Sequence, residues 1–73
     1  MGKLGNISGK DAVKAFEKVG GLTRGQVGSH RVLTKPGVRA NLTVPMHPEL
    51  AQGTLRALIK VAGLTVEEFI ELL

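Results

Sequence analysis

The apolar positions along the chain change period twice, and each change marks a new element. In "ISGKDAVKAFEKVGG", Ala12, Val13, Phe16 and Val19 recur at helical spacing and fall on one face. Ser8 stands as the N-cap with Asp11 at the third helical position, a variant of the capping box, and Gly20 supplies the stop. Lys10, Lys14 and Lys18 recur every fourth residue, so this first helix carries a basic stripe.

From Leu22 the period shortens. "LTRGQV" reads as a weak strand with Gly25 in its middle, and "SHRVLTK" as a stronger one. Pro36 and Gly37 occupy the two central positions of a type II turn. After it Val38, Ala40, Leu42 and Val44 alternate with Arg39, Asn41 and Thr43, the pattern of a strand with one buried and one polar face. Two strands joined by a tight turn make an antiparallel hairpin, with the weak strand expected beside it.

Two prolines in "PMHPELAQG" then break the strand. In "GTLRALIKVAG", Leu55, Leu58, Ile59 and Ala62 form one buried helical stripe that Gly63 ends. In "LTVEEFIELL", Thr65 caps a short last helix, Glu68 completes a capping box, Leu64 is placed to staple onto Phe69, and Phe69 and Leu72 are core candidates. The order α-β-β-β-α with a short extra helix predicts a single α+β domain over residues 1–73, a three-stranded antiparallel sheet with helices on one face and the other face open.

Composition narrows the function. The chain has 73 residues and no cysteine, so there is no disulfide framework and no thiolate metal site. Its two histidines, His30 and His47, have no carboxylate cluster around them, whereas a catalytic metal usually has three protein ligands. No cofactor is expected. No apolar run approaches the length of a membrane span and the start lacks a signal-peptide pattern, so a soluble, cytoplasmic protein without a membrane partner is expected. Net charge is +4, divided as +6 over residues 1–44 and −2 over residues 45–73. A basic front half is the footprint of a protein that meets polyanions, although such charges also serve as a solvated face. The aromatic residues are Phe16 and Phe69, both on apolar helix faces. Grip on a nucleic acid would therefore come from phosphate, sugar and groove contacts rather than base stacking.

Gly28-Ser29-His30 before a strand, Val44-Pro45 followed at one remove by His47, and Gly53-Thr54-Leu55-Arg56 opening a helix are together similar to the HicA (YcfA-like) toxins of bacterial toxin–antitoxin pairs. The resemblance runs from about Ile7 to Leu73. It implies a fold like double-stranded-RNA-binding domains, metal-independent cleavage of mRNA, a HicB antitoxin that covers the active site, and a catalytic histidine at His30. Two positions depart from the family pattern. Gly21 stands where many members have an aromatic, and Gly25 where many have an arginine. Arg24 is one residue early, and a one-residue shift in a strand sends a side chain to the opposite face.

The chemistry of RNA cleavage fits these residue types. RNA carries its own nucleophile, the 2′-OH. Cleavage needs a base for that proton, an acid for the leaving 5′-oxygen, and cations for the charge on phosphorus. Histidine, with an ordinary pKa of about 6.5, suits the first two tasks, and arginine and lysine the third. Alternation puts His30, Val32 and Thr34 on one face of their strand and Arg31, Leu33 and Lys35 on the other. Either Val32 or Leu33 could point to the core. The bulky apolar residue of the family favours Leu33, which sends His30 to the open face with Arg39, Asn41 and Thr43. His47 is a candidate second acid/base group or phosphate contact, or simply a loop residue. Lys10, Lys14, Arg24, Ser29, Arg39 and Thr54 are the candidate RNA contacts, Thr54 because helix N-termini bind phosphate, though turns and caps are the commoner duties of Ser29 and Thr54. The alternative reading is a non-catalytic double-stranded-RNA-binding module. A DNA-binding or structural domain is a third.

Overall fold

The computed structural model describes residues 4–73. Its elements are α1 (Gly9–Lys18), β1 (Leu22–Val27), β2 (His30–Lys35), β3 (Val38–Pro45), α2 (Gln52–Val61) and α3 (Val66–Glu71). The strands form one antiparallel sheet in the order β1-β2-β3. This is the α+β architecture expected, consistent with the fold of double-stranded-RNA-binding domains.

Local chemistry sets the helix ends. The Ser8 hydroxyl accepts from the Asp11 N–H at 3.0 Å while the Asp11 carboxylate accepts from the Ser8 N–H at 3.3 Å. Thr65 and Glu68 repeat this box at α3, with distances of 3.1 and 2.8 Å. Each cap satisfies donors that a helix start leaves unpaired, at about 1 kcal/mol apiece. The first turn of α2 differs: its N-cap is Ala51, which offers no side-chain acceptor, and Thr54 lies inside the helix.

The helices cover one face of the sheet. Phe16 of α1 and Phe69 of α3 are fully buried with ring centroids 5.3 Å apart, and Leu33, Leu42, Val44, Leu55 and Ile59 pack around them. Leu33 and its partner Leu42 thus point to the helices. The opposite choice, Val32 inward, is excluded, because Val32 is only half-buried while Leu33 has no exposed surface. Leu72 and Leu64 lie half-buried at the rim of this core.

Two irregularities break the alternation read from the sequence. In β3, Leu42 opposes Leu33 but Val38 opposes Lys35, so the register slips between these pairs. Ala40 falls in the slip and is exposed rather than buried with Leu42 and Val44. In β1, Thr23 opposes Leu33 and Gly25 opposes Val32, leaving Arg24 as the extra residue of a β-bulge.

Candidate functional site

The two turns of the sheet have opposite roles. The Pro36-Gly37 turn, with Gly37 at φ +81°, has the positive dihedral that a type II turn requires at its second central residue. It joins β2 to β3 at the end remote from His30. At the near end, Val27 pairs with His30, so β1 and β2 are joined by only Gly28 and Ser29. Gly28 has φ +58° and Ser29 does not share it, the pattern of a type II′ hairpin turn with glycine first. Gln26 braces this turn: its amide nitrogen donates to the Gly28 carbonyl at 3.1 Å, and its amide oxygen accepts from the Arg31 guanidinium at 3.3 Å. Gly28 and Ser29 thus act as turn residues, and they make His30 the first residue of β2.

His30 is exposed on the open face, opposite Leu33. Its neighbours there are Val27 of β1, which is 74% exposed, and Pro45 of β3. Val32 and Thr43 pair next along the same face. Arg24 reaches this face as well. Its Nε donates to the hydroxyl of Thr34 at 3.0 Å, and Thr34 lies on the same side of β2 as His30. The bulge absorbs the one-residue offset of this arginine, so the displacement to the opposite face expected from alternation does not occur.

His47 is brought to His30 by backbone contacts from two directions. The Met46 N–H donates to the Ser29 carbonyl at 2.6 Å, which ties the segment after β3 to the β1–β2 turn. The Gly9 N–H donates to the His47 carbonyl at 3.0 Å, which ties the same segment to the start of α1. That second contact needs glycine, because a Cβ at position 9 would lie 2.1 Å from the Pro45 carbonyl oxygen. The imidazole centroids of His30 and His47 are 6.4 Å apart with the rings inclined at 65°, and both residues are exposed.

The remaining candidates are distributed more widely. Arg39 stands near the Pro36-Gly37 turn, six residues before Pro45. At about 3.3 Å per strand residue it is roughly 20 Å along β3 from the pair that His30 makes, so it does not flank the histidine as expected. An antiparallel hairpin places the start of β3 against the end of β2, and His30 begins β2. Lys10 and Lys14 are exposed on α1, across the sheet from the open face. Only the first turn of α1, with Lys10, adjoins the His47 segment. Lys18 is occupied, since its Nζ donates to the Leu72 carbonyl at 2.7 Å. Thr54 is exposed in the first turn of α2. A groove of about 350 Å³ between α1 and the C-terminal residues is lined by Ile7, Lys14, Lys18, Leu72 and Leu73 among others, and by neither histidine. Among the described residues no group of three or more His, Cys, Asp or Glu side chains gathers in a way that could hold a metal ion, and no helix is long and apolar enough to cross a membrane.

Sequence reasoning offered His47 as a second acid/base group, a phosphate contact or a loop residue, but gave no geometric ground for placing it beside His30. The signal available for it was the Gly-Ser dipeptide, which between two strands marks a two-residue hairpin turn. That turn, with the strand after Pro36-Gly37, puts the start of β2 beside the end of β3.

The family model described as the HicA toxin of bacterial toxin–antitoxin systems matches residues 9–64. No curated protein matches the chain significantly.

Proposed function

The chain belongs to the HicA toxin family of bacterial toxin–antitoxin systems, and on that premise we propose that it is a metal-independent endoribonuclease that cleaves mRNA in the cytoplasm. The 2′-OH next to the scissile phosphate is the nucleophile. His30 transfers a proton in that step. Cleavage yields a 2′,3′-cyclic phosphate on one fragment and a 5′-hydroxyl on the other, and no redox partner or metal enters the balance.

The observation that carries this reading is the placement of His30. It is an exposed imidazole on a sheet face that no helix covers among the described residues, at the first position of a strand whose other face is anchored by Leu33. Acid–base help from such a group is worth roughly 10²–10⁴-fold. Arg24 stands on the same face as a fixed cation for the phosphate backbone, oriented by Thr34. Lys10 and Lys14 add sequence-independent attraction for RNA. A HicB-like antitoxin silences the enzyme by covering the open face. Val27, the direct strand partner of His30, offers it an exposed apolar anchor.

The test is incubation of the purified protein with labelled RNA in EDTA. Wild type yields fragments ending in 2′,3′-cyclic phosphate, and His30→Ala yields them at least about 10²-fold more slowly while its circular dichroism spectrum stays native. Binding without fragments would replace this reading with a non-catalytic RNA-binding module. Fragments that require added metal would overturn the mechanism.

A further inference from the structure

His30 supplies only one of the two proton transfers that 2′-OH attack requires. We propose that His47 supplies the other, so that His30 and His47 form an acid–base couple across a single phosphodiester. This deepens the reading of the chain as a ribonuclease and rests on it.

Three observations support the couple. The first is separation: with centroids 6.4 Å apart and inclined at 65°, the two rings neither stack nor merge into one site. Each can aim a nitrogen at a different oxygen of the same phosphodiester, through hydrogen bonds of about 2.6–3.2 Å. The second is fixation. His30 is held in the sheet by its pairs with Val27 and Pro45. His47 is held by the Met46–Ser29 and Gly9–His47 backbone bonds. These restraints converge from β1, β3 and α1 on two side chains that are themselves exposed, which is how a site is preorganised without burying its reacting groups. The third is the state of the surrounding charges. The Asp11 carboxylate is turned to the Ser8 N–H, the Glu49 carboxylate to the Asn6 N–H, and the Arg31 guanidinium to Gln26. Lys10, in the first turn of α1, remains exposed. No described carboxylate is hydrogen-bonded to either imidazole, and both rings are left for substrate.

The step balances with these two groups alone. One imidazole takes the 2′-OH proton as the 2′-oxygen bonds to phosphorus. The bond from phosphorus to the 5′-oxygen breaks, and the other imidazole, protonated, gives its proton to that oxygen. Exchange with water then returns both rings to their starting states.

The experiment uses RNA with two kinds of leaving group. A cleavage position is first mapped on a labelled single-stranded RNA with wild-type protein in EDTA. The same RNA is then synthesised with the bridging 5′-oxygen at that position replaced by sulfur. A thiolate leaves without a proton, so this substrate does not need the acid. Wild type, His30→Ala, His47→Ala and His47→Gln are compared on both RNAs. On ordinary RNA, both His47 variants lose about 10²–10⁴-fold in rate, as His30→Ala does. On the sulfur-bridged RNA, the alanine variant lacking the acid recovers to within about tenfold of wild type, and the variant lacking the base does not. His47→Gln keeps hydrogen bonding but cannot transfer a proton, so wild-type activity in it would overturn the proposal. So would wild-type activity in His47→Ala, or sulfur-bridged RNA that rescues neither or both of the alanine variants. The histidine is held through its backbone, so the native fold survives in these variants, which circular dichroism checks. Failure of wild type to cut either RNA would instead remove the ribonuclease reading itself.

Discussion

Replacing Gly9 by alanine should destabilise the protein, although the same change in a helix is normally favourable. An alanine in place of a helical glycine gains about 0.5–1 kcal/mol from reduced freedom of the unfolded chain. At position 9 the new Cβ would meet the Pro45 carbonyl oxygen at 2.1 Å, the Met46 Cα at 2.8 Å and the Pro45 carbonyl carbon at 3.0 Å. All three are backbone atoms and cannot rotate away. Ordinary contact begins near 3.4 Å, so the carbonyl oxygen must retreat by about 1.3 Å. Overpacking of this kind costs about 1–3 kcal/mol. The retreat also stretches the 3.0 Å bond from the Gly9 N–H to the His47 carbonyl, at about 0.5–1.5 kcal/mol. Net loss is therefore about 1–3 kcal/mol. Gly53 provides the control. It lies in the first turn of α2 with nothing within 4 Å of a built Cβ, so Gly53→Ala should gain up to about 1 kcal/mol. Urea denaturation followed by helical circular dichroism should move the two midpoints in opposite directions with an unchanged slope. A Gly9→Ala protein as stable as wild type would refute the close approach of α1 to the end of β3.

Three further outcomes follow from the same structure. Phe69→Ala removes a fully buried ring from its partner Phe16 and should cost about 3–5 kcal/mol, enough to leave much of so small a domain unfolded in a thermal melt. Lys10→Ala and Lys14→Ala should each leave stability within about 0.5 kcal/mol of wild type. Each should lower the slope of log affinity against log salt for single-stranded RNA by about 0.7 if that lysine meets a phosphate. Val27→Asp places a charge on an exposed position beside His30; it should leave the melting midpoint nearly unchanged while raising the dissociation constant of the antitoxin complex by at least tenfold in a titration.

The helices were legible in the sequence because their signals are local. Ser8 with Asp11 and Thr65 with Glu68 are capping boxes whose members sit three residues apart, and the stripe of Leu55, Leu58, Ile59 and Ala62 is buried along its whole length. The Pro36-Gly37 turn is likewise set by two adjacent residues. What the sequence hid depends on pairing across the sheet. The bulge at Arg24 and the slip that exposes Ala40 exist only in relation to β2, so simple alternation misjudged both. Gly9 looks like an ordinary helical residue until the end of β3 lies against it. The facing of His30 was decided by the size of Leu33 and the family pattern, since alternation alone left two choices. Its nearness to His47 required the Gly28-Ser29 hairpin, which the Gly-Ser dipeptide signals, and also the Met46–Ser29 bond, which has no signature within one segment.

The hydrogen bonds from Met46 to Ser29 and from Gly9 to His47 join residues far apart in the chain. They therefore carry a larger loop-closure cost than the two tight turns of the sheet do. His30 stands beside His47 only when the strands are paired and α1 is seated against the segment after β3. Any property that depends on the two imidazoles standing together is therefore a property of the whole folded domain, and no isolated segment of the chain can carry it.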